Sequence, residues 1–307
     1  MAPDAGSRRM ALKYAAALLS GGWGIARAAP PPRPAGALQA LFSVAGARLL
    51  AHPEPTGNAL REELGPYVPL IFPVAVAGSF GDLYIADAGV SRLYRYDRGR
   101  NAFAVIPNVR IGPNTRLQTG PDGSLYVLDP FSSRIDRFTR GGTRLTTFHP
   151  RQPASRYSDF VVHPLSGRLY AVDSAYLCID EIEPLGNIAI ERLRIEEPGP
   201  VAITDRGILY LGGANCGCVN EWIEGRSGRR FAAGKLRLPR ALAVIGPQIV
   251  GLDGERNIVL IHEEGMDKIA PRPLGLLAPE GIAAAQGLLL VADGAGQRVT
   301  AFRPVSA

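Results

Sequence analysis

Cysteine, histidine, tryptophan and methionine are all sparse in this chain of 307 residues, and Phe, Trp and Tyr together make up only 7% of it. The four histidines, His52, His149, His163 and His262, fall at unrelated points along the chain, so no multi-histidine zinc site is visible. No G-x-S-x-G elbow is present, which removes the usual signature of an α/β-hydrolase nucleophile. Three cysteines allow one disulfide with a thiol left over. Long apolar runs are also missing. The stretch from Tyr14 to Ile25 is short and broken by Gly21 and Gly22, and falls below the ~20 residues that a membrane-spanning helix needs.

What the chain has in abundance is 36 glycines and 26 prolines, a composition that suits many short strands joined by turns better than a helical bundle. Its N-terminus reads Ser7-Arg8-Arg9-Met10-Ala11-Leu12-Lys13, then the mildly apolar stretch, then Ala26-Arg27-Ala28. This resembles a twin-arginine export signal ending in an A-x-A cleavage site, with Ala11 where Phe is usual. Residues 1–28 are therefore expected to direct export to the periplasm or beyond, with an uncleaved membrane tether as the alternative. Residues 29–36, containing Pro30-Pro31-Pro32-Arg33-Pro34, read as a stiff spacer. Loss of residues 1–28 removes four cations and one anion, so the formal charge falls from +6 to +3, too small an excess to indicate nucleic-acid binding.

From residue 37 to 307 one phrase recurs: a hydrophobic pair followed by an Asp. It appears as Leu83-Tyr84 with Asp87, Leu125-Tyr126 with Asp129, Leu169-Tyr170 with Asp173, Ile249-Val250 with Asp253 and Leu289-Leu290 with Asp293, while Leu209-Tyr210 has Gly213 in the Asp position. A period of about 40 residues is that of four-stranded propeller blades, so the expected fold is an all-β, six-bladed β-propeller. Each repeat opens on a short strand of small apolar residues, turns at sites such as Pro121-Asp122-Gly123 and Asp205-Arg206-Gly207, and continues into the Leu-Tyr strand. A third strand follows, with bulky apolar ends such as Phe138, Trp222 and Phe302, and outer strands are readable at Ala102–Ile106 and Arg144–Phe148. The sixth repeat stops one strand short. The apolar segment Leu38 to Leu50, which has no repeat of its own, is expected to supply the missing strand and close the ring.

The succession Pro279-Glu280-Gly281-Ile282-Ala283, Leu289 to Asp293 and Gln297-Arg298-Val299, echoed by Leu83 to Asp87 with Ser91-Arg92-Leu93, resembles the NHL-repeat family of six-bladed propellers over roughly residues 73 to 304. The resemblance implies a fold that hosts non-catalytic binding propellers as well as some lyases and lactonases. Lactonases of the regucalcin type hold a divalent metal with Glu, Asn and Asp, which Glu280, Asn114 and Asp159 match only loosely in placement. The expectation is therefore a non-catalytic scaffold of the cell envelope without a cofactor, binding an envelope protein or a small anionic or sugar-like ligand. The alternative is a metal-dependent lactonase, other hydrolase or lyase at the channel mouth.

The recurring Asp residues are expected to bind backbone N–H groups, since a residue demanded in every blade serves the repeat. Arg92, Arg134 and Arg298, also recurrent, are expected to tie blades together. Residues that differ between blades are more informative. Counting nine positions back from each hydrophobic pair gives Val74, Arg116, Phe160, Pro200, Arg240 and Glu280. Arg116 and Arg240 would face one another across the axis beside Glu280, Asp159 and Tyr157, forming either a mouth for an anionic ligand or an internal ion-pair plug. Cys178 and Cys218 occupy one blade position in adjacent repeats, too far apart to bridge, so Cys216 is the expected partner of Cys178. A three-thiolate metal site is the alternative.

Overall fold

The computed structural model of the chain describes residues 38–50, 64–79, 81–185, 188–263, 266–270 and 275–304. The export signal and the Pro-rich spacer lie outside these residues. Among the described residues all regular structure is β, and none forms a helix long and apolar enough to cross a membrane.

Three strands precede the repeats: β1 (Leu38–Val44), β2 (Gly46–Leu50) and β3 (Leu64–Pro69). Blade 1 consists of β4 (Pro73–Ser79), β5 (Asp82–Asp87), β6 (Arg92–Asp97) and β7 (Ala102–Ile106). Blade 2 follows with β8 (Arg116–Thr119), β9 (Leu125–Asp129), β10 (Arg134–Phe138) and β11 (Arg144–Phe148), and blade 3 with β12 (Tyr157–Val162), β13 (Leu169–Asp173), β14 (Cys178–Ile182) and β15 (Ala189–Arg194). Blade 4 holds β16 (Val201–Ile203), β17 (Leu209–Gly213), β18 (Cys218–Ile223) and β19 (Arg226–Phe231). Blade 5 holds β20 (Pro239–Ile245), β21 (Gln248–Asp253), β22 (Ile258–Glu263) and β23 (Met266–Ala270), and blade 6 β24 (Pro279–Ala285), β25 (Leu288–Asp293) and β26 (Arg298–Pro304). Every blade is an antiparallel meander, and the six-bladed propeller expected from the repeat is observed.

The core lies in the seams between blades, because a four-stranded sheet has two apolar faces and each must be covered by a neighbour. Tyr84, Leu93, Leu117, Leu125 and Phe138, for example, pack blade 1 on blade 2. Inner strands are built of small residues where the sheets converge, as at Ala75, Ala77, Ala241, Ala243 and Ala283.

Ring closure follows the expectation for β1 and departs from it for β2. β1 is the outer strand of blade 6, antiparallel to β26 from Leu38 opposite Pro304 to Val44 opposite Val299. The chain then crosses to blade 1. There β2 runs parallel to β7 and antiparallel to β3, so blade 1 becomes a six-stranded sheet. Gly46 makes the crossing possible: a Cβ there would come within 2.6 Å of the Val68 carbonyl oxygen, a contact no other residue tolerates. Val44, Ala47 and Leu70 consequently share one core with blades 1 and 6.

Candidate functional site

Inner strands begin, and second strands end, at one face of the ring. This loop face carries the Asp residues, the loops that follow them and the segments entering each blade. Asp253 accepts hydrogen bonds from four backbone N–H groups, those of Arg237 and Leu238 on the entering segment and of Glu255 and Arg256 in the following loop. Asp87 and Asp293 bridge the same two segments, and Asp173 does so through Arg156, Ala175 and Tyr176. Asp129 takes the Phe131 N–H, the Ser132 hydroxyl and the guanidinium of Arg110 at 2.6 Å. Blade 4, with Gly213, inverts the scheme: Glu197 on the entering segment accepts the Asn215 N–H at 2.9 Å, and a Cβ on Gly213 would lie 2.6 Å from Glu197 Oε1. The carboxylate ring is therefore structural. The recurrent arginines differ from expectation in facing the Asp of their own blade, Arg134 Nε lying 3.8 Å from Asp129 and Arg298 Nε 3.6 Å from Asp293.

The structure resets the register of the inner strands. Arg240 and Glu280 are bulge residues, lying between Pro239 and Ala241 opposite Asp253 and Leu252, and between Pro279 and Gly281 opposite Asp293 and Ala292. Arg116 is in regular pairing opposite Leu128, level with Asp159 opposite Val172. A fixed offset fails because the hairpin leaving the inner strand is short in blades 1, 5 and 6 and longer in blades 2 to 4, where Gly123, Gly167 and Gly207 at positive φ extend it. Each arginine is paired with a carboxylate of the next blade. Arg116 Nε lies 3.7 Å from Asp159 Oδ1, and the Arg240 guanidinium donates to Glu280 Oε2. Asp159 also accepts the N–H groups of Phe160 and, across the seam, Val201. Desolvation pushes the Asp159 carboxyl above the usual range despite these partners. Tyr157 is not brought to this mouth, since its hydroxyl donates to Asp180 Oδ2 at 2.9 Å inside blade 3.

The expected Cys178–Cys216 bridge is not formed. Cys216 is bonded to Cys218 with a Cα separation of 5.1 Å, and Gly217 between them at φ +56° turns the chain tightly enough for next-but-one cysteines to meet. Cys178 is a free, fully buried thiol with Arg151 and Asp180 against its sulfur. Burial, then the Asp180 carboxylate, pushes it up to about 11. Among the described residues no three His, Cys, Asp or Glu side chains converge as a metal site, and Asp159 and Glu280 are each committed to an arginine.

Two features had no sequence signal. On the loop face, Ile71, Val90, Phe131, Tyr176, Leu238 and Leu277 are exposed large apolar side chains drawn from five blades, with the exposed Arg110, Arg156, Arg237 and Arg256 among them. At the opposite, hairpin face, the channel widens into a funnel of about 1000 Å³ lined from all six blades. The two ends meet at a waist of about 20 Å³ beneath Arg116 and Asp159, where Gln118 and Leu242 line both spaces.

No protein-family model matches the chain, and no curated protein matches it in sequence. In structure it is similar to a catalytically inactive virginiamycin B lyase from Staphylococcus aureus solved with quinupristin, at 12% identity and a TM-score of 0.59 over 87% of this chain and 98% of that one. A gluconolactonase from Xanthomonas campestris aligns at 16% identity and a TM-score of 0.59, covering 89% and 98% of the two chains. An auxiliary nutrient binding protein from Bacteroides thetaiotaomicron VPI-5482 aligns at 14% identity and 0.59, covering 76% and 69%. These likenesses show a shared propeller fold.

Proposed function

We propose that this is an NHL-type binding propeller, exported by the twin-arginine route, whose loop face docks a protein of the cell envelope without catalysing a reaction. The observation that carries this reading is how the charges on that face are used. Arg116, Arg240, Asp159 and Glu280 neutralise one another across blade seams, and the Asp residues are spent on backbone N–H groups. What remains outward-facing is a ring of apolar side chains with Arg156 and Arg256 among them, Arg110 and Arg237 being paired with Asp129 and Glu255, and this is the composition of a protein-docking surface for a mainly apolar partner. A small anion would have to displace a carboxylate from Arg116 or Arg240.

The alternative, a lactonase or lyase, is favoured by the likeness to a gluconolactonase and to virginiamycin B lyase over most of the chain. An enzyme of that kind would need Glu280 or Asp159 released from its arginine. One set of measurements separates the two. Photo-crosslinking from position 131 in intact cells is expected to capture a discrete envelope protein, and Phe131→Ser with Leu277→Ser to abolish capture with the Tm within a few degrees of wild type. Turnover of lactones with added Ca²⁺ or Zn²⁺, lost in Glu280→Gln, would overturn the non-catalytic reading. Arg8→Lys with Arg9→Lys should leave the precursor in the cytoplasm, and unchanged export would remove the twin-arginine part of the proposal.

A further inference from the structure

Two departures from the blade repeat face the same space, the funnel on the hairpin face. The first lies on the inner strands. Opposite the second residue of the Leu-Tyr strand, the six blades carry Ala77, Gln118, Val161, Ala202, Ala243 and Ala283, so five are small or β-branched apolar residues and blade 2 alone has an amide. Gln118 is half-buried at the closed end of the funnel, and its side chain makes no hydrogen bond among the described residues. The repeat does not ask for an amide there, and this one is turned to the funnel rather than to a protein partner.

The second departure is at the seam of blades 4 and 5, into which the funnel extends. Opposite the first residue of the Leu-Tyr strand, where other blades place Tyr96, Phe138, Ile182, Trp222 and Phe302, blade 5 has His262. Its ring stacks on Phe231 at 3.9 Å between centroids, and the Glu221–Arg229 ion pair lines the same cleft. That pair is internally neutral: Glu221 is almost fully buried and accepts both from Arg229 and from the Tyr210 hydroxyl.

We propose that the funnel binds a neutral saccharide, independently of the loop face. Ile203, Val244, Ala284 and Ala285 from blades 4, 5 and 6, all partly exposed to the funnel, offer an apolar wall for the C–H faces of a sugar ring. The Gln118 amide, which both donates and accepts, meets hydroxyls at the closed end, and the exposed Arg229 guanidinium, held by Glu221 beside His262, does so in the side cleft. The charged side chains that line the funnel, Asp205, Arg206, Glu221 and Arg229, sum to no net charge, so a sugar acid or amino sugar is not favoured over a neutral sugar. The volume is at the upper end of small-molecule sites and admits more than one ring.

Isothermal titration calorimetry of the intact propeller against glucose, maltose, cellobiose and lactose, with gluconate and glucosamine as charged controls, tests the proposal. At least one neutral sugar should bind saturably. Gln118→Ala should weaken it tenfold or more while leaving the Tm unchanged or higher, because alanine is the residue that the repeat places at this level. His262→Phe, which restores the bulky wedge, should also lower affinity. Phe131→Ser with Leu277→Ser should leave sugar affinity as in wild type, so failure of this site and failure of the docking face are distinguishable. The proposal is overturned if none of the four neutral sugars binds at millimolar concentration, if gluconate or glucosamine binds more tightly, or if Gln118→Ala keeps wild-type affinity.

Discussion

One buried Asp in each of blades 1, 2, 3, 5 and 6, bound to backbone N–H groups, fixes where the entering segment meets the loop after the second strand. Asp253 illustrates the energetics: it is fully buried, and its charge is met by four backbone N–H groups. Asp253→Asn keeps the shape, halves the accepting capacity and turns an amide NH₂ toward donors, so a loss of ~3 kcal/mol in denaturant unfolding is expected. Blade 4 supplies the converse. Gly213→Asp would restore the repeat in sequence yet set a second carboxylate against Glu197 and press a Cβ to 2.8 Å from Cys216 Sγ, so it should destabilise by ~2 kcal/mol. Adding Glu197→Ala should recover part of that loss, and a stabilising Gly213→Asp single variant would contradict the exchange of roles.

Among the elements, β1 carries the most consequence for its length. It covers the free edge of β26, joins its Ser43 hydroxyl to that of Thr300 at 2.8 Å, and places Val44 in the core shared by the first and last blades. Without it blade 6 would present an open, largely apolar edge, a template for pairing with another copy. A chain lacking residues 38–44 is therefore expected to elute as aggregate in size-exclusion chromatography and to lose its cooperative thermal transition. A soluble monomer with wild-type Tm would show that closure is dispensable. The β2–β3 hairpin is an extension of blade 1 outside the ring, so its removal should be better tolerated than that of β1.

For the molecule as a whole, the buried carboxylates set the response to acid. Desolvation alone would raise the carboxyls of Asp129, Asp173 and Asp253, but the Arg110, hydroxyl and backbone hydrogen bonds outweigh it and hold all three below the usual range. A pKa lower in the folded state contributes stability that is complete above the unfolded value of ~3.9 and is lost as pH falls through the folded value. Asp159 works the other way: burial raises its carboxyl, so its contribution is present below ~3.9 and disappears as pH rises through its folded value. Desolvation acts on Glu221 too, but its hydrogen bonds from Arg229 hold it low, so four buried groups stand against one, and the urea midpoint should hold steady from neutral pH down to about 5 and fall steeply below about 4. Equal stability at pH 3 and pH 7 would refute this account.

How much of this was written in the linear chain follows from where each interaction sits. The blades, the structural Asp residues, the turns at Gly123 and Gly207 and the closing strand at Leu38–Val44 were all legible, because strands that pair in a meander are neighbours in sequence and a period of about 40 residues repeats their pattern. The pairing of Arg116 with Asp159 and of Arg240 with Glu280 was legible only as one of two alternatives, and the inward turn of Tyr157, the Cys216–Cys218 bridge and the second Gln118-to-His262 surface were not legible. They depend on the register between blades, which shifts whenever an inner hairpin gains a residue, and on which side chains six sheets bring to one axis. Periodicity determined that there would be six blades around a channel. Only the closed ring decided which charges meet across the seams, which end of the channel opens, and what is left there for another molecule to touch, because those contacts join residues from different blades that no local pattern relates.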